Sequence, residues 1–198
     1  MIKIFTVNRG KLMSGCTIAT AVELLQQGEV ISYPTEAVYG LGCDPDNEAA
    51  VLKLVAIKQR SVEKGLILVA ATYSQLLPYV DDKAIPLEKR YQIISSWPGH
   101  ISWVLPASKN APKWITGQFT SIAVRVSAHP VVQQLCQQYG KPIVSTSANL
   151  AGEPAITDYQ RLLATLGLKV AAIVEGALGG AAQPSQIRDA ISGQLVRS

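Results

Sequence analysis

Short apolar runs of strand length recur along this chain, and stretches with helical spacing fall between them. The runs at 30–33, 66–70, 101–105 and 170–174 are the clearest, and 121–126 alternates polar with apolar residues. Thr17 can cap a helix in which Ile18, Val22 and Leu25 share a face, with Gly28 to end it. Asp46 is placed to cap a second, whose inner face is Val51, Leu54 and Val55 and which runs out near Lys58-Gln59-Arg60. Further helices are expected over 74–80 and 86–94, from Pro130 to Leu135 with Gly140 closing it, and from a Thr157 or Asp158 cap to Leu166. Residues 186–190 and 194–197 read as a hairpin turning at Ser192-Gly193. Alternation of this kind predicts one α/β domain over residues 1–198, with a mixed sheet flanked by helices.

The composition agrees. A hydrophobic fraction of 48% can fill a large core, and a charged fraction of 16% is low enough to favour two-sided burial. The net charge of +4 permits an anionic substrate or a nucleic acid without requiring either. Cys16, Cys43 and Cys136 are odd in number and widely spaced, which points to buried, reduced thiols. Lys3, Arg9 and Lys11 precede no apolar segment of the signal-peptide kind, and no apolar run reaches the roughly 18 residues of a membrane helix. The expectation is a soluble, cytoplasmic protein.

Three places concentrate polar chemistry. At Tyr33-Pro34-Thr35-Glu36 a buried run stops at a proline, which cannot donate to a ladder, and delivers a hydroxyl and a carboxylate. Tyr39-Gly40-Leu41-Gly42 follows, where the glycines allow a sharp turn or a close approach to a ligand. A dinucleotide fingerprint is excluded because Pro45 stands at its third glycine. Lys53, Lys58, Arg60 and Lys64 form the second place: a fork and point charges suited to phosphate oxygens, or else a solvated helix end. The third is Ser145-Thr146-Ser147-Ala148-Asn149, which offers uncharged donors and acceptors beyond the run Pro142-Ile143-Val144, or else an ordinary turn. His100 and His129 read as structural. No nucleophile elbow, phosphate loop or protein-built metal motif is present. The stretch 176–182, rich in glycine and alanine, reads as a mobile loop.

In sequence order, these pieces resemble the YrdC-like threonylcarbamoyl-adenylate synthases in their short, stand-alone bacterial form. The matching motifs are Tyr33-Pro34-Thr35-Glu36, Tyr39-Gly40-Leu41-Gly42, Lys58-Gln59-Arg60 and Lys64-Gly65-Leu66-Ile67. Trp97-Pro98-Gly99, Ser121-Ile122-Ala123-Val124-Arg125, Ser147-Ala148-Asn149 and Pro184-Ser185 complete the set. The resemblance implies a twisted mixed sheet with a basic concave surface. It also implies an enzyme that joins L-threonine, bicarbonate and ATP into threonylcarbamoyl-AMP, with Mg²⁺ held mainly by the ATP phosphates. The product would serve the modification of adenosine 37 in tRNA, through tRNA itself or partner proteins. Carried over by position, Lys58, Arg60, Ser147 and Asn149 match its catalytic and nucleotide-binding signature, and Ser121 and Ser145 its nucleotide-contacting hydroxyls. Thr35 and Arg125 match the positions that hold threonine. Ser61, His100 and Ser102 depart from the pattern, as does the terminal Pro184-Ser185-Gln186-Ile187-Arg188-Asp189, where many members have Ser-Thr after the proline. A labile N-carboxythreonine calls for a closed pocket, with 176–182 as a candidate cover. The competing class is a non-catalytic protein that binds double-stranded RNA or tRNA through its basic surface.

Overall fold

The computed structural model describes residues 13–197; Lys3, Arg9 and Lys11, considered above for a signal segment, lie outside them. The chain opens with β1 (Met13–Cys16) and α1 (Ile18–Gln26), and the Thr17 hydroxyl caps that helix by accepting from the Thr20 amide at 3.3 Å. The hairpin of β2 (Ile31–Pro34) and β3 (Tyr39–Gly42) leads into α2 (Glu48–Lys58) and β4 (Ile67–Ala70). Two smaller helices, α3 (Tyr73–Leu76) and α4 (Leu87–Ser95), precede β5 (Ile101–Pro106). Next come α5 (Lys113–Thr116), β6 (Ser121–Val126), α6 (Pro130–Tyr139) and β7 (Ile143–Ser147). The chain closes with α7 (Tyr159–Leu166), β8 (Ala172–Val174), β9 (Gln186–Asp189) and β10 (Leu195–Arg197).

The described strands form one ten-stranded sheet in the order β1-β8-β2-β3-β7-β4-β6-β5-β9-β10. Parallel pairs (β1/β8, β2/β8, β4/β6, β5/β9) are interleaved with antiparallel ones, so the expected mixed sheet is observed. Alternate residues of a strand point to opposite faces, and two apolar clusters divide along that line. In β4, Leu68 and Ala70 join the cluster under α2 and α7, while Val69 joins the cluster under α1 and α6. In β6, Ile122, Val124 and Val126 enter the first cluster, so Ser121, Ala123 and Arg125 present the opposite face. The functional hollow lies on that opposite face.

Four expectations need correcting. Asn47, not Asp46, caps α2, accepting from the Ala50 amide at 3.1 Å; the Asp46 carboxylate is taken by Tyr79 and Lys141. Gly40 and Gly42 make no turn. They lie inside β3, where a Cβ on Gly42 would sit 2.6 Å from the Val144 carbonyl and 2.7 Å from the Tyr33 ring. Ser145-Thr146-Ser147 belong to a strand rather than to a loop beyond it, because β7 pairs with β3 through Gly40↔Ser147. The helix expected over 74–80 is a single turn, α3, and the terminal hairpin forms as β9 and β10. Among the described residues no helix is long and apolar enough to cross a membrane.

Candidate active site

The hollow has a volume of about 700 Å³ and is lined by residues from β3 to β7, β9 and β10 and the segments between them. Thr35, Lys58, Arg60, Ser121, Arg125, Ser145, Ser147 and Asn149 all line it, although they are spread over 115 positions of sequence. Ser121 and Arg125 are four residues apart on one face of β6, so the floor extends roughly 13 Å between them. That length accommodates two substrates side by side.

One group of residues gathers positive charge. Lys58 is the last residue of α2, and Gln59 turns the chain in the left-handed region at φ 52°, which sends Arg60 back toward the hollow. Lys58 Nζ donates to the carbonyl oxygens of Ser147 at 2.5 Å and Asn149 at 2.9 Å, and to Asn149 Oδ1 at 3.2 Å. The Ser147 hydroxyl donates to the same Asn149 oxygen at 2.5 Å, and Asn149 Nδ2 holds the carbonyls of Leu150 and Glu153. Lysine, serine and asparagine are therefore one polar unit, and Lys58 is 3% exposed rather than a solvated helix end. Burial, then the charges of Arg60 and Arg197, push the Lys58 ammonium down to about 8. Arg60 Nη2 donates to the carbonyls of Lys64 and Gly65, while its Nε is buried with no partner among the described residues. Arg197 on β10, a residue that sequence reasoning did not single out, adds a further cation beside Lys58, Arg60 and Lys64. Among the described residues, neither Lys58 nor Arg60 forms an ion pair with a carboxylate. Desolvated cations that repel one another are stabilised by a polyvalent anion.

A second group surrounds Arg125. Its Nη1 donates to Glu36 Oε2 at 3.0 Å, with both side chains buried. Glu36 Oε1 accepts from the Ser127 hydroxyl at 2.7 Å and from the Ala128 amide at 3.2 Å. Burial raises the Glu36 carboxyl, but Arg125 and Ser127 outweigh that and hold it below the usual carboxylate range. Arg125 Nε has no partner among the described residues, and neither does Nη2. The Nε–Nη2 edge is the fork that an anionic carboxylate takes up bidentately. The Thr35 hydroxyl donates to the Val38 carbonyl at 2.6 Å, which fixes the turn between β2 and β3, and Thr35 lines the hollow.

Two expectations about the rim are corrected. The 176–182 stretch does not line the hollow. Its backbone is pinned to the β2–β3 turn, Gly179 donating to the Thr35 carbonyl at 3.0 Å and Ala181 to the Glu36 carbonyl at 2.8 Å. Gly179 packs so close that a Cβ there would lie 2.9 Å from the Glu36 Cα. His129 keeps the structural role expected of it, bonding the Ala177 oxygen at 3.1 Å. His100 does not: it lines the hollow beside Arg125, as do Pro184 and Ser185. Glu36 is the carboxylate expected at the end of the buried run, but its pairing with Arg125, 89 positions away, was not readable without the fold.

Comparison with known proteins places these observations in context. A family model described as "Telomere recombination", for the Sua5, YciO and YrdC proteins, matches residues 23–198. The chain is 58% identical over 181 residues to the threonylcarbamoyl-AMP synthase of Pseudoalteromonas translucida, covering 91% of this chain and 97% of that protein. It is 51% identical over 185 residues to the threonylcarbamoyl-AMP synthase of an Escherichia coli strain, covering 93% and 97%. Among solved structures, P. abyssi Sua5 complexed with L-threonine superposes with a TM-score of 0.82 at 30% identity, over 89% of this chain and 53% of that one. E. coli YciO superposes with a TM-score of 0.78 at 26% identity, over 94% and 93%.

Proposed function

The chain belongs to the Sua5/YciO/YrdC family, and from that membership and the geometry of its hollow we propose that it is an L-threonylcarbamoyladenylate synthase. The relatives at 51–58% identity carry the name threonylcarbamoyl-AMP synthase over nearly their whole length. The observation that carries the reading is the convergence of two chemically distinct groups on one hollow. Lys58, Arg60 and Arg197 suit a triphosphate, and Arg125 with Thr35 suits an amino acid.

In this reading the threonine amino nitrogen attacks bicarbonate carbon, and water is lost to leave N-carboxythreonine. A carbamate oxygen then attacks the ATP α-phosphorus, and the bond to the β-phosphate oxygen breaks to release pyrophosphate. Charge grows on the departing phosphates, so fixed cations serve the transition state more than a nucleophile would. Lys58 and Arg60 take that role, while Ser121, Ser145, Ser147 and Asn149 orient the nucleotide through neutral hydrogen bonds. Arg125 holds the threonine carboxylate through its open edge, and Thr35 accepts from the ammonium or the carbamate N–H. Alignment of the two substrates along one face of β6 supplies the proximity.

Among the described residues, the lining offers hydroxyls, amides, cations and a single carboxylate, Glu153. Such a donor set does not make a protein-built divalent site, so Mg²⁺ in this reading comes with the phosphates and water of the ATP complex. A duplex-RNA module is disfavoured because Lys58 is withdrawn into the hollow, where a phosphate backbone does not reach. The same reading takes residues 1–198 as one domain acting in the cytoplasm, with tRNA or its modification partners receiving the product. The test is product identification. Purified protein with ATP, threonine and bicarbonate should yield threonylcarbamoyl-AMP by mass spectrometry, and threonyl-AMP or AMP alone would overturn the proposal.

A further inference from the structure

The His100 ring lies between two groups with opposite requirements. Its Nδ1 is 3.3 Å from Arg125 Nη1, and its Nε2 is 2.7 Å from the backbone oxygen of Gln183. A guanidinium has only hydrogens to offer and a carbonyl only lone pairs. One protonation state serves both partners: a neutral ring with its hydrogen on Nε2. Nε2–H then donates to Gln183, and the bare Nδ1 accepts from Arg125. A charged ring carries a hydrogen on each nitrogen and turns one of them toward a cation.

Gln183 leads directly into the rim. Pro184 and Ser185 line the hollow with Thr35 and Arg125, and Ser185 Oγ meets Ser102 Oγ on β5 at 3.0 Å. His100 therefore ties the C-terminal segment to the guanidinium that the proposed function assigns to threonine. The charged groups facing the ring are Arg125, which opposes a positive ring, and Glu36, which favours one but is already engaged by three donors.

We propose that His100 is a positioning residue for the amino-acid substrate: in its neutral form it holds the Arg125 guanidinium beside Glu36 and latches 183–185 against the threonine side of the hollow. The proposal rests on the reading of Arg125 as the carboxylate-binding group and deepens it.

The test is steady-state kinetics of wild type, His100→Leu, His100→Gln and Arg125→Lys at one fixed pH. Glutamine carries one acceptor and one donor and does not titrate. His100→Leu should raise the threonine KM about five- to tenfold, as expected for a lost hydrogen bond, with the ATP KM and thermal midpoint nearly unchanged. His100→Gln should recover most of that loss. An unchanged threonine KM in His100→Leu, an equal rise in both KM values, or failure of glutamine to rescue would each overturn the latch. If Arg125→Lys raises the threonine KM while His100→Leu does not, only the latch is wrong. If Arg125→Lys leaves it unchanged, the assignment of Arg125 to threonine fails as well.

Discussion

Glu36 and Arg125, 89 positions apart in sequence, form a buried ion pair in which Oε2 accepts from Nη1 at 3.0 Å. The carboxylate completes its shell with Ser127 and the Ala128 amide, so the guanidinium is fixed from a turn that also carries Thr35. Removing one partner of such a pair leaves an uncompensated charge in a dry site. Glu36→Gln should therefore cost about 3–5 kcal/mol of stability by denaturant unfolding. Its pH dependence has a definite sign. Glu36 is held below the usual carboxylate range, so its contribution is complete above the unfolded carboxyl's titration and is lost as pH falls through the lower folded value. Wild type should lose stability on acidification more steeply than Glu36→Gln, and parallel curves would argue that the pair contributes nothing net.

Arg125→Lys keeps a positive charge but removes the fork. If the open Nε–Nη2 edge receives the threonine carboxylate, the threonine KM should rise by at least about tenfold while the ATP KM changes little. Equal effects on both substrates would return Arg125 to a purely structural role.

Lys58 makes an alkaline prediction. With its ammonium pushed down to about 8, the free protein loses above that pH the charge proposed to bind phosphate. At saturating threonine and bicarbonate, kcat/KM for ATP should fall across pH 8 to 9, and this limb should be absent from the residual activity of Lys58→Met. Stability moves in the opposite direction. The unfolded chain binds the extra proton between the two values, so wild type gains stability relative to Lys58→Met as pH rises through about 8 toward the ordinary lysine range. A limb shared by both proteins would place the titration elsewhere.

Arg60 is half-buried and holds only the carbonyls of Lys64 and Gly65. Arg60→Ala should cost about 2–4 kcal/mol of transition-state stabilisation, comparable to losing one charge-stabilising donor, yet only about 1 kcal/mol of folding stability. Paired measurement of kcat/KM and the urea midpoint checks the split, and a larger folding loss than catalytic loss would contradict it.

How much of this was legible in the sequence depends on the range of the interaction. The caps at Thr17 and Asp158, the alternation in 121–126 and the closing hairpin are local signals, and each appears at its expected place. Asn47 displaced Asp46 as a cap because Lys141 and Tyr79, distant in sequence, compete for that carboxylate. Gly40 and Gly42 read as allowing either a sharp turn or a close approach to a ligand; they make no turn, and Gly40 lines the hollow. What they supply is space, since the Tyr33 ring and the Val144 carbonyl occupy what a side chain would fill. Lys58 read equally well as a solvated helix end, because only tertiary pairing of β3 with β7 brings Ser147 and Asn149 onto it. His100 carried no signal of its own: its two partners lie 25 and 83 positions away.

The most direct test of the account is pyrophosphate release by the purified protein with each substrate omitted in turn. The account predicts release only when ATP, threonine and bicarbonate are present together, with no requirement for RNA. Release that persists without threonine, or that appears only when RNA is added, would contradict it.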